Sequence, residues 1–354
     1  MRIRVDKEMK AVVLEKPGDL VLKDREMPVC GNGEILVRVR ACNICRTDLK
    51  CATVGQRDLV YPRILGHEIA GEIIEKGKNV IGHTVGGRVH IHPGISCGVC
   101  EYCKKGLDNL CDQIKIMGFN FDGGFQEVIK IDQQALRSRV VNQINNENLA
   151  YEEISFIEPL ACCVNIQDRL KMNGNSVLVI IGGGRLGLLN LFVAKAAGIK
   201  NVILIEENKE RRNRGKALGF NAVFSGSEPD LKNQLQMNSN NQGVDVVIPC
   251  CPGAKALDLA LQILRKKGTL GYFSGMSRDD TFYPDINLIH YKEISVVGSY
   301  GCSVKHSRKA KTLLESKKVN VRPLISHRVK LEELARGMDY IKNGDGYSTI
   351  VVMN

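Results

Sequence analysis

The sequence predicts an α/β fold in which a β-rich domain is interrupted by a second domain built on a doubly wound parallel sheet. The chain has 354 residues, more than one hydrophobic core usually serves, so two domains are expected. Short β patterns separated by glycine turns fill the sequence to about residue 155. From residue 176 onward, apolar runs alternate with helical segments, which is typical of a doubly wound sheet.

The β-rich part is predicted from short β patterns bounded by Gly, Pro or Asp. Its strands are expected at 35–40, 69–74, 87–91 and 125–131. After residue 297 the pattern is mixed again, with a helix near 305–316 and a closing strand at 349–353. We therefore assign 1–157 and 297–354 to one domain and 158–296 to the inserted domain.

The inserted domain begins with a continuous apolar run at 176–181, which suits a buried parallel strand, and a helix follows at 185–197. The alternation continues with strands at 201–205, 244–248 and 269–273 and with helices at 209–218 and 256–265. Parallel strands joined by helices of this length predict a nucleotide-binding type of sheet.

Composition fits a globular cytoplasmic protein, since 44% of the residues are hydrophobic and 25% are charged. The N-terminal segment lacks the apolar core that a signal peptide needs. The most apolar stretch is broken by glycines, Arg185 and Lys195, so no membrane span is expected.

The formal net charge of +11 raises the question of nucleic-acid binding. Lys and Arg residues are scattered along the chain, and the sequence has no Trp that could stack on bases. We therefore expect a solvated basic surface and no nucleic-acid partner. A negatively charged small-molecule substrate is compatible with the same charge.

Thirteen cysteines without a predicted secretory signal indicate metal or thiol chemistry before disulfides. Four of them share the spacing C-x2-C-x2-C-x7-C, and they are Cys97, Cys100, Cys103 and Cys111. Four thiolates can surround one zinc ion and leave no open position, which is typical of a structural zinc site. An iron–sulfur cluster is the alternative, but nothing else in the sequence points to electron transfer.

A glycine-rich turn follows the first strand of the inserted domain and reads Gly182-Gly183-Gly184-Arg185-Leu186-Gly187. It satisfies G-x-G-x-x-G between a strand and a helix, the context in which this motif binds a dinucleotide pyrophosphate. Gly182 would permit the tight turn, Gly184 the approach of the pyrophosphate, and Gly187 the close packing of helix and strand.

Glu206 ends the second strand of the inserted domain, at the separation expected for an acid that binds the adenosine ribose hydroxyls. Its carboxylate would repel a 2′-phosphate, so NAD is expected rather than NADP. Three basic residues lie close enough to favour a 2′-phosphate instead, and they are Arg211, Arg212 and Arg214. Arg211 is retained as a candidate cofactor-binding residue.

Two short segments carry candidate ligands for a catalytic metal. Cys45 opens the segment CRTD, and His67 and Glu68 close the segment GHE. A catalytic zinc needs about three protein ligands and an open position for water or substrate. Neither segment is convincing alone, but both accompany the four-cysteine loop and the nucleotide-binding motif.

In their order along the chain, CRTD, GHE, the four-cysteine loop, EPL at 158–160 and G-x-G-x-x-G resemble the zinc-containing medium-chain dehydrogenase/reductase family. The resemblance covers nearly the whole chain from Met9. Glu158 and Pro159 resemble the polyol (sorbitol and threonine) dehydrogenase branch. The resemblance implies a GroES-like catalytic domain, an inserted Rossmann domain, and a homodimer or homotetramer.

The resemblance further implies that Cys45 and His67 hold the catalytic zinc. Its third ligand would be Glu68 or Glu158, directly or through water, since members of the family differ. Zinc would polarise the hydroxyl of a secondary alcohol or polyol whose hydride passes to NAD. Two zinc ions per chain are therefore expected.

Other roles also come from the resemblance. Thr47 would take the substrate proton, Asp48 would support the zinc ligands, and Arg46 would reach the cofactor pyrophosphate. The loops at 271–275 and 297–301 would line the nicotinamide side, and their candidate cofactor-binding residues are Ser274, Gly298 and Ser299.

The sequence departs from the family pattern at two places. Lys50 stands where many relatives end the proton relay with a histidine, so the exit of the proton is left open. Gly301 and Cys302 stand where sorbitol dehydrogenases carry an Arg-Tyr pair in the substrate cleft. The expected substrate is therefore a secondary alcohol or polyol, with phosphorylated and amino-substituted polyols included.

Two other functions are alternatives to an enzyme that uses zinc and NAD. A zinc-bearing nucleotide-binding protein with a regulatory or nucleic-acid role would follow from the net charge. The intact pair Cys45 and His67 argues against it, because such a protein needs no open metal site. A zinc-free reductase of the same family would lack these ligands and the four-cysteine loop.

Overall fold

The computed structural model describes residues 8–276 and 281–354. The chain divides into two compact units, of which the second is Cys162–Gly301 and the first consists of the residues on either side. The domain boundaries predicted from the sequence lie a few residues before these points. No helix in the described residues is long and apolar enough to span a membrane.

The first unit begins with strands joined by short helices and turns. Its strands in this part of the chain are β1 Glu8–Lys16, β2 Asp19–Glu26, β3 Ile35–Asn43, β4 Arg63–Ile64, β5 Glu68–Lys76, β6 Arg88–Ile91, β7 Gly94–Ile95, β8 Lys115–Ile116, β9 Val128–Ile131 and β10 Val141–Gln143. Its helices here are α1 Arg46–Thr53, α2 Glu101–Lys104, α3 Gln133–Arg137 and α4 Tyr151–Ser155, and the chain enters the second unit within α5 Ile157–Arg169.

The second unit alternates strands and helices as the apolar runs predict. Its strands are β11 Val177–Ile181, β12 Asn201–Ile205, β13 Ala222–Phe224, β14 Val244–Pro249, β15 Leu264–Tyr272 and β16 Ser295–Gly298. Its helices are α6 Arg185–Ala196, α7 Lys209–Leu218, α8 Leu231–Asn238, α9 Ala254–Ile263 and α10 Ile286–Lys292. The first unit is then completed by α11 Val304–Glu315, β17 Ile325–Val329, α12 Leu334–Asn343 and β18 Ser348–Val352.

The main sheet of the first unit has the order β10-β6-β5-β3-β18-β17, and β9 also pairs with β3. In β3 the side chains of Val37 and Val39 are fully buried, whereas Arg38 and Arg40 are half-buried. This period of two follows from the pleat, which sends successive side chains to opposite faces. Phe125 and Ile69 are among the fully buried side chains of the core on this sheet.

The sheet of the second unit is parallel throughout and has the order β13-β12-β11-β14-β15-β16. Numbered within the unit, this is the order 3-2-1-4-5-6 of dinucleotide-binding folds. All residues of β11 are buried, as a central parallel strand requires. The strand order reverses between β11 and β14, and ligands of such sheets bind at the carboxyl ends of the strands there.

Several predicted element boundaries differ from the structure by one to three residues, and the largest difference is at the start of β15. The helix expected at 256–265 ends at Ile263, and β15 begins at Leu264 rather than at Thr269. Leu264 pairs with Val244 of β14, and the Arg265 side chain donates to Asp245 Oδ1 at 2.6 Å. Tertiary pairing with β14 therefore overrides the local helical pattern of these residues.

Candidate functional site

A loop between β7 and β8 brings the four predicted cysteines together. The Sγ atoms of Cys97, Cys100, Cys103 and Cys111 all lie within 4.8 Å of one another. Cys103 Sγ is 3.5 Å from Cys100 Sγ and 4.0 Å from Cys97 Sγ. A tetrahedral zinc ion with bonds of about 2.3 Å holds its sulfurs about 3.8 Å apart, so this spacing suits one zinc ion.

Backbone N–H groups point at these sulfurs. Cys111 Sγ accepts from Cys97 N at 3.3 Å and from Gln113 N at 3.4 Å, and Cys97 Sγ accepts from Cys100 N at 3.3 Å. The backbone hydrogen bond from Cys103 is the main cause that lowers the pKa of Cys100 to about 6, whereas burial raises the pKa of Cys103 to about 12 and also raises the pKa of Cys111. Such bonds favour the thiolate, which is the form that binds zinc.

A second, smaller group of candidate ligands lies where α1 and β5 begin. Ligand atoms of Cys45, His67 and Glu68 lie within 4.8 Å of one another. Cys45 directly precedes α1, His67 directly precedes β5, and Glu68 is the first residue of β5. Sulfur, nitrogen and oxygen donors from three residues suit a zinc ion that keeps one position open for substrate.

Asp48 connects these ligands to one another. Its Oδ2 accepts from Cys45 N at 2.8 Å, and its Oδ1 accepts from Gly66 N at 3.1 Å. Oδ1 also lies 3.2 Å from His67 Nδ1. Burial alone would lower the pKa of His67, but the Asp48 carboxylate and Cys45 outweigh it and raise that pKa well above its usual value. Asp48 thus orients the imidazole as a carboxylate does behind a zinc-bound histidine.

The glycine-rich turn lies between β11 and α6, as predicted. Gly182 has φ +103°, a left-handed conformation that favours glycine. A Cβ on Gly187 would lie 2.0 Å from Gly182 O, so only glycine lets α6 pack this closely on the turn. A Cβ on Gly184 would meet open space, which leaves the helix N-terminus accessible to a pyrophosphate.

Glu206 follows β12 and lies beside the glycine-rich turn. Its Oε2 accepts from Gly183 N at 2.7 Å, and its Oε1 accepts from Asn208 N at 2.8 Å. Arg212 Nη1 donates to the backbone oxygens of Glu206 and Glu207, each at 2.7 Å. A carboxylate therefore occupies the end of the second strand, where an adenosine ribose would lie.

Comparison with known proteins agrees with this arrangement. Residues 31–139 match the alcohol dehydrogenase GroES-like domain, and residues 186–337 match the zinc-binding dehydrogenase domain. L-threonine 3-dehydrogenase of Pyrococcus furiosus is 34% identical over 92% of this chain and 93% of its own length. The chain belongs to the zinc-binding dehydrogenase family. It is an oxidoreductase of the alcohol and polyol dehydrogenase class.

Two further relatives of this zinc-binding dehydrogenase are informative. Sorbitol dehydrogenase of Bacillus subtilis is 30% identical over 95% of this chain and 94% of its own. A solved structure described as a zinc-binding dehydrogenase from Sinorhizobium meliloti, bound to NADP, is 29% identical and has a TM-score of 0.88. The match covers 98% of this chain and 100% of that one. The family and the fold predicted from the sequence are therefore confirmed.

Helix α1 of the dehydrogenase carries three more predicted site residues. Thr47 Oγ1 lies 3.6 Å from Cys45 Sγ, next to the open group of ligands. Arg46 and Lys50 line one cavity together with Lys342 of α12, and apolar atoms of Leu49, Thr53 and Ile341 complete its walls. Three cations around one cavity favour an anion there.

The remaining predicted residues lie elsewhere on the two units. Glu158 is buried in the first turn of α5 and is not part of the group formed by Cys45, His67 and Glu68. Gly298 ends β16, and Ser299 N donates to Tyr272 O at 2.9 Å. Ser274 lies two residues after the end of β15.

Two groups of residues in the structure were not predicted from the sequence. Lys342 joins Arg46 and Lys50 although it lies in the last helix. A buried cluster formed by His92, Asp108, Cys302 and Ser307 is also not predicted, because its members come from distant parts of the chain. Both groups join segments that lie far apart in the chain.

We predict two zinc ions per chain, bound independently. Cys103→Ala should lose the zinc of the four-cysteine loop, and Cys45→Ala should lose the other, because each removes one ligand of a separate group. Zinc per chain is measured by plasma mass spectrometry after gel filtration.

Cys30→Ala is the matched control, because Cys30 is half-buried and belongs to neither group of ligands. It should keep both ions. A wild-type chain with a single zinc ion that survives Cys45→Ala would contradict the two-site arrangement.

Proposed function

We propose that this dehydrogenase moves a hydride between a secondary alcohol or polyol and NAD, with one catalytic and one structural zinc ion. The observation that carries the proposal is the contrast between two groups of ligands. The four cysteines form a closed set, whereas Cys45, His67 and Glu68 form an open set of three. A zinc ion with an open position and a dinucleotide-binding fold in the same chain are the two parts that alcohol oxidation by this chemistry requires.

We propose Glu68 as the third ligand, because its carboxylate lies with Cys45 and His67. Glu158, the other carboxylate that the sequence allows, is buried in α5 outside this group. The bound zinc would supply Lewis-acid polarisation of the substrate hydroxyl, and NAD would accept the hydride. Asp48 would hold the imidazole of His67, and Thr47, beside Cys45, would take the hydroxyl proton.

The cofactor part of the proposal is NAD rather than NADP. Glu206 holds a negative charge at the end of β12, where it would bind ribose hydroxyls and repel a 2′-phosphate. Arg212 lies close but is bonded to backbone oxygens of Glu206 and Glu207. Gly182, Gly184 and Gly187 would bring the pyrophosphate to the N-terminus of α6.

The substrate part of the proposal is an alcohol that carries several hydroxyls, with an anionic substituent as a specific option. Lys50 and Lys342 line the cavity that Arg46 also lines. Arg46 would take the cofactor pyrophosphate, which leaves two lysines for a phosphate on the substrate or for the exit of the proton.

The proposal includes a cytoplasmic location, because the free thiols of the four-cysteine loop suit a reducing compartment.

The proposal is tested by a screen of NAD reduction with sugar alcohols, polyol phosphates, amino polyols, threonine and simple secondary alcohols. Wild type should reduce NAD with at least one polyol or amino alcohol. Cys45→Ala should abolish turnover while NADH binding, measured by fluorescence, stays within about twofold. Turnover that survives Cys45→Ala would contradict a catalytic role for this ligand.

Within the same screen, each polyol is compared with its phosphate in wild type and in Lys50→Gln. If the lysines bind a phosphate, kcat/KM is higher on the phosphate, and Lys50→Gln removes that advantage selectively. Equal kcat/KM on both forms in wild type would leave proton exit as the role of Lys50 and exclude the anionic substrate.

We predict that Glu206→Ala lowers the preference for NAD over NADP by at least about tenfold, because one charged hydrogen-bond partner of the ribose is lost. Kd values for NADH and NADPH are measured by fluorescence titration. Glu206→Gln keeps an acceptor for Gly183 N and separates the charge from the shape of the turn.

Glu210→Ala is the matched control, because Glu210 is an exposed acid on α7. It should leave the preference unchanged. Parallel losses of NADH and NADPH affinity in Glu206→Ala would show that Glu206 only supports the glycine-rich turn, and the assignment to NAD would fail.

We also propose a homodimer, or a tetramer built from it, that joins two copies of β16. This strand is the edge of the six-stranded sheet, and Val296 on it is 53% exposed. Tyr283, Ile286 and Tyr291 precede it and are also mostly exposed. An apolar edge strand invites pairing with a second copy across a two-fold axis.

Val296→Lys is predicted to lower the oligomeric state, because it sets like charges opposite each other at the paired edge. Analytical ultracentrifugation measures the mass of the assembly. Val85→Lys, at a comparably exposed valine of the first unit, should leave it unchanged. An unchanged mass for Val296→Lys would exclude an interface through β16.

A further inference from the structure

A buried polar cluster connects the four-cysteine loop to residues 302–307, where the chain re-enters the first unit. We call these residues the re-entry segment. Cys302, Ser303 and Ser307 in this segment are buried. Asp108 comes from the four-cysteine loop, and His92 follows β6. All of these residues belong to the first unit.

Asp108 makes one bond toward the cysteines and one toward the re-entry segment. Its backbone oxygen accepts from Cys111 N at 3.2 Å, and its Oδ2 accepts from Val304 N at 3.0 Å. Val304 is the first residue of α11, and the first N–H groups of a helix have no partner within it. A carboxylate at this end is also favoured by the helix dipole.

His92 contacts the same groups from the other side. Its ring is 1% exposed, and its Nδ1 lies 2.9 Å from Ser307 Oγ and 3.9 Å from Cys302 Sγ. Its Nε2 lies 4.0 Å from Asp108 Oδ2. One buried ring therefore packs between the loop carboxylate and both ends of the re-entry segment.

The far end of α11 is anchored separately. Glu315 Oε1 accepts from Asn145 N at 2.6 Å, and Glu315 O accepts from Asn146 Nδ2 at 3.1 Å. The C-terminal end of the helix therefore has bonds that do not involve the four-cysteine loop. The N-terminal end, which begins two residues after Cys302, has the bond to Asp108.

We propose that Asp108 is a positioning residue through which the four-cysteine loop holds the re-entry segment in place. A folded loop sets the Asp108 carboxylate, the carboxylate holds Val304 N, and the position of Cys302 follows. The consequence for catalysis rests on the proposed function and on the family resemblance, which implies that Gly301 and Cys302 stand at positions of the substrate cleft. The four-cysteine loop would then affect the binding of the alcohol without contacting it.

The test measures how fast Cys302 is alkylated by iodoacetamide, read by peptide mass spectrometry on the zinc-loaded full chain. A buried thiol reacts only after local opening, so its rate reports the stability of the segment. Asp108→Ala should speed alkylation of Cys302 by at least about tenfold, and Asp108→Asn, which keeps an acceptor oxygen, should restore most of the protection.

The same hydrogen bond can be removed without touching the loop. Val304→Pro deletes the donor, and proline is tolerated at the first position of a helix. It should expose Cys302 as Asp108→Ala does while zinc stays at two ions per chain. The double variant should add little, since both changes remove one interaction.

Asp112→Ala is the matched control, because Asp112 is an exposed acid of the same loop. It should leave the alkylation of Cys302 unchanged. An effect of Asp112→Ala equal to that of Asp108→Ala would overturn the proposal, and so would protected Cys302 in Val304→Pro.

Steady-state kinetics test whether the position of the re-entry segment affects binding of the alcohol. Asp108→Ala and Val304→Pro should raise KM for the alcohol several-fold while Kd for NADH is unchanged. If wild type oxidises no alcohol, the proposed function fails, but the alkylation rates still decide the role of Asp108. If alcohols are oxidised and KM is unmoved while Cys302 is exposed, the effect on the cleft is excluded.

Discussion

The buried carboxylate of Asp48 is the interaction on which the open metal site depends. A fully buried charge is costly unless it is bonded on several sides, and Asp48 is 0% exposed. It receives N–H groups from Cys45 and from Gly66, which lies 18 residues beyond Asp48, and it contacts His67. These bonds compensate for burial only when both segments are in place. The same contacts therefore stabilise the fold and hold the candidate ligands Cys45 and His67 in position relative to each other.

The two groups of ligands depend on the rest of the molecule to different degrees. The four cysteines lie within one loop and are oriented by that loop's own backbone N–H groups. Cys45 and His67 instead directly precede α1 and β5, so their separation depends on the pairing of β5 with β3 and β6. A local group tolerates changes elsewhere, whereas the open group responds to any shift between the helix and the sheet.

This difference also explains what the sequence could predict. The grouping of the four cysteines and the position of the glycine-rich turn can be predicted from the sequence, because the contacts that form them join residues within one short segment. The parallel sheet followed from apolar runs such as β11. Leu264 was misassigned because its partner Val244 lies across the sheet. His92 and Ser307 are 215 residues apart, and no local pattern brings them together. The proposal of Glu68 rather than Glu158 as the third ligand likewise rests on a proximity to Cys45 and His67 that the sequence does not contain.

In the second unit, Glu206 supports the glycine-rich turn and is also a proposed contact of the cofactor. Its carboxylate accepts N–H groups from Gly183 in the glycine-rich turn and from Asn208 at the start of α7. In the proposed function it also binds the ribose, so recognition of the cofactor and the shape of the turn share one charge. Replacing it by an apolar or basic side chain to admit a 2′-phosphate would leave Gly183 N without this acceptor. A change of cofactor preference through such a side chain therefore requires a second substitution that stabilises the turn again.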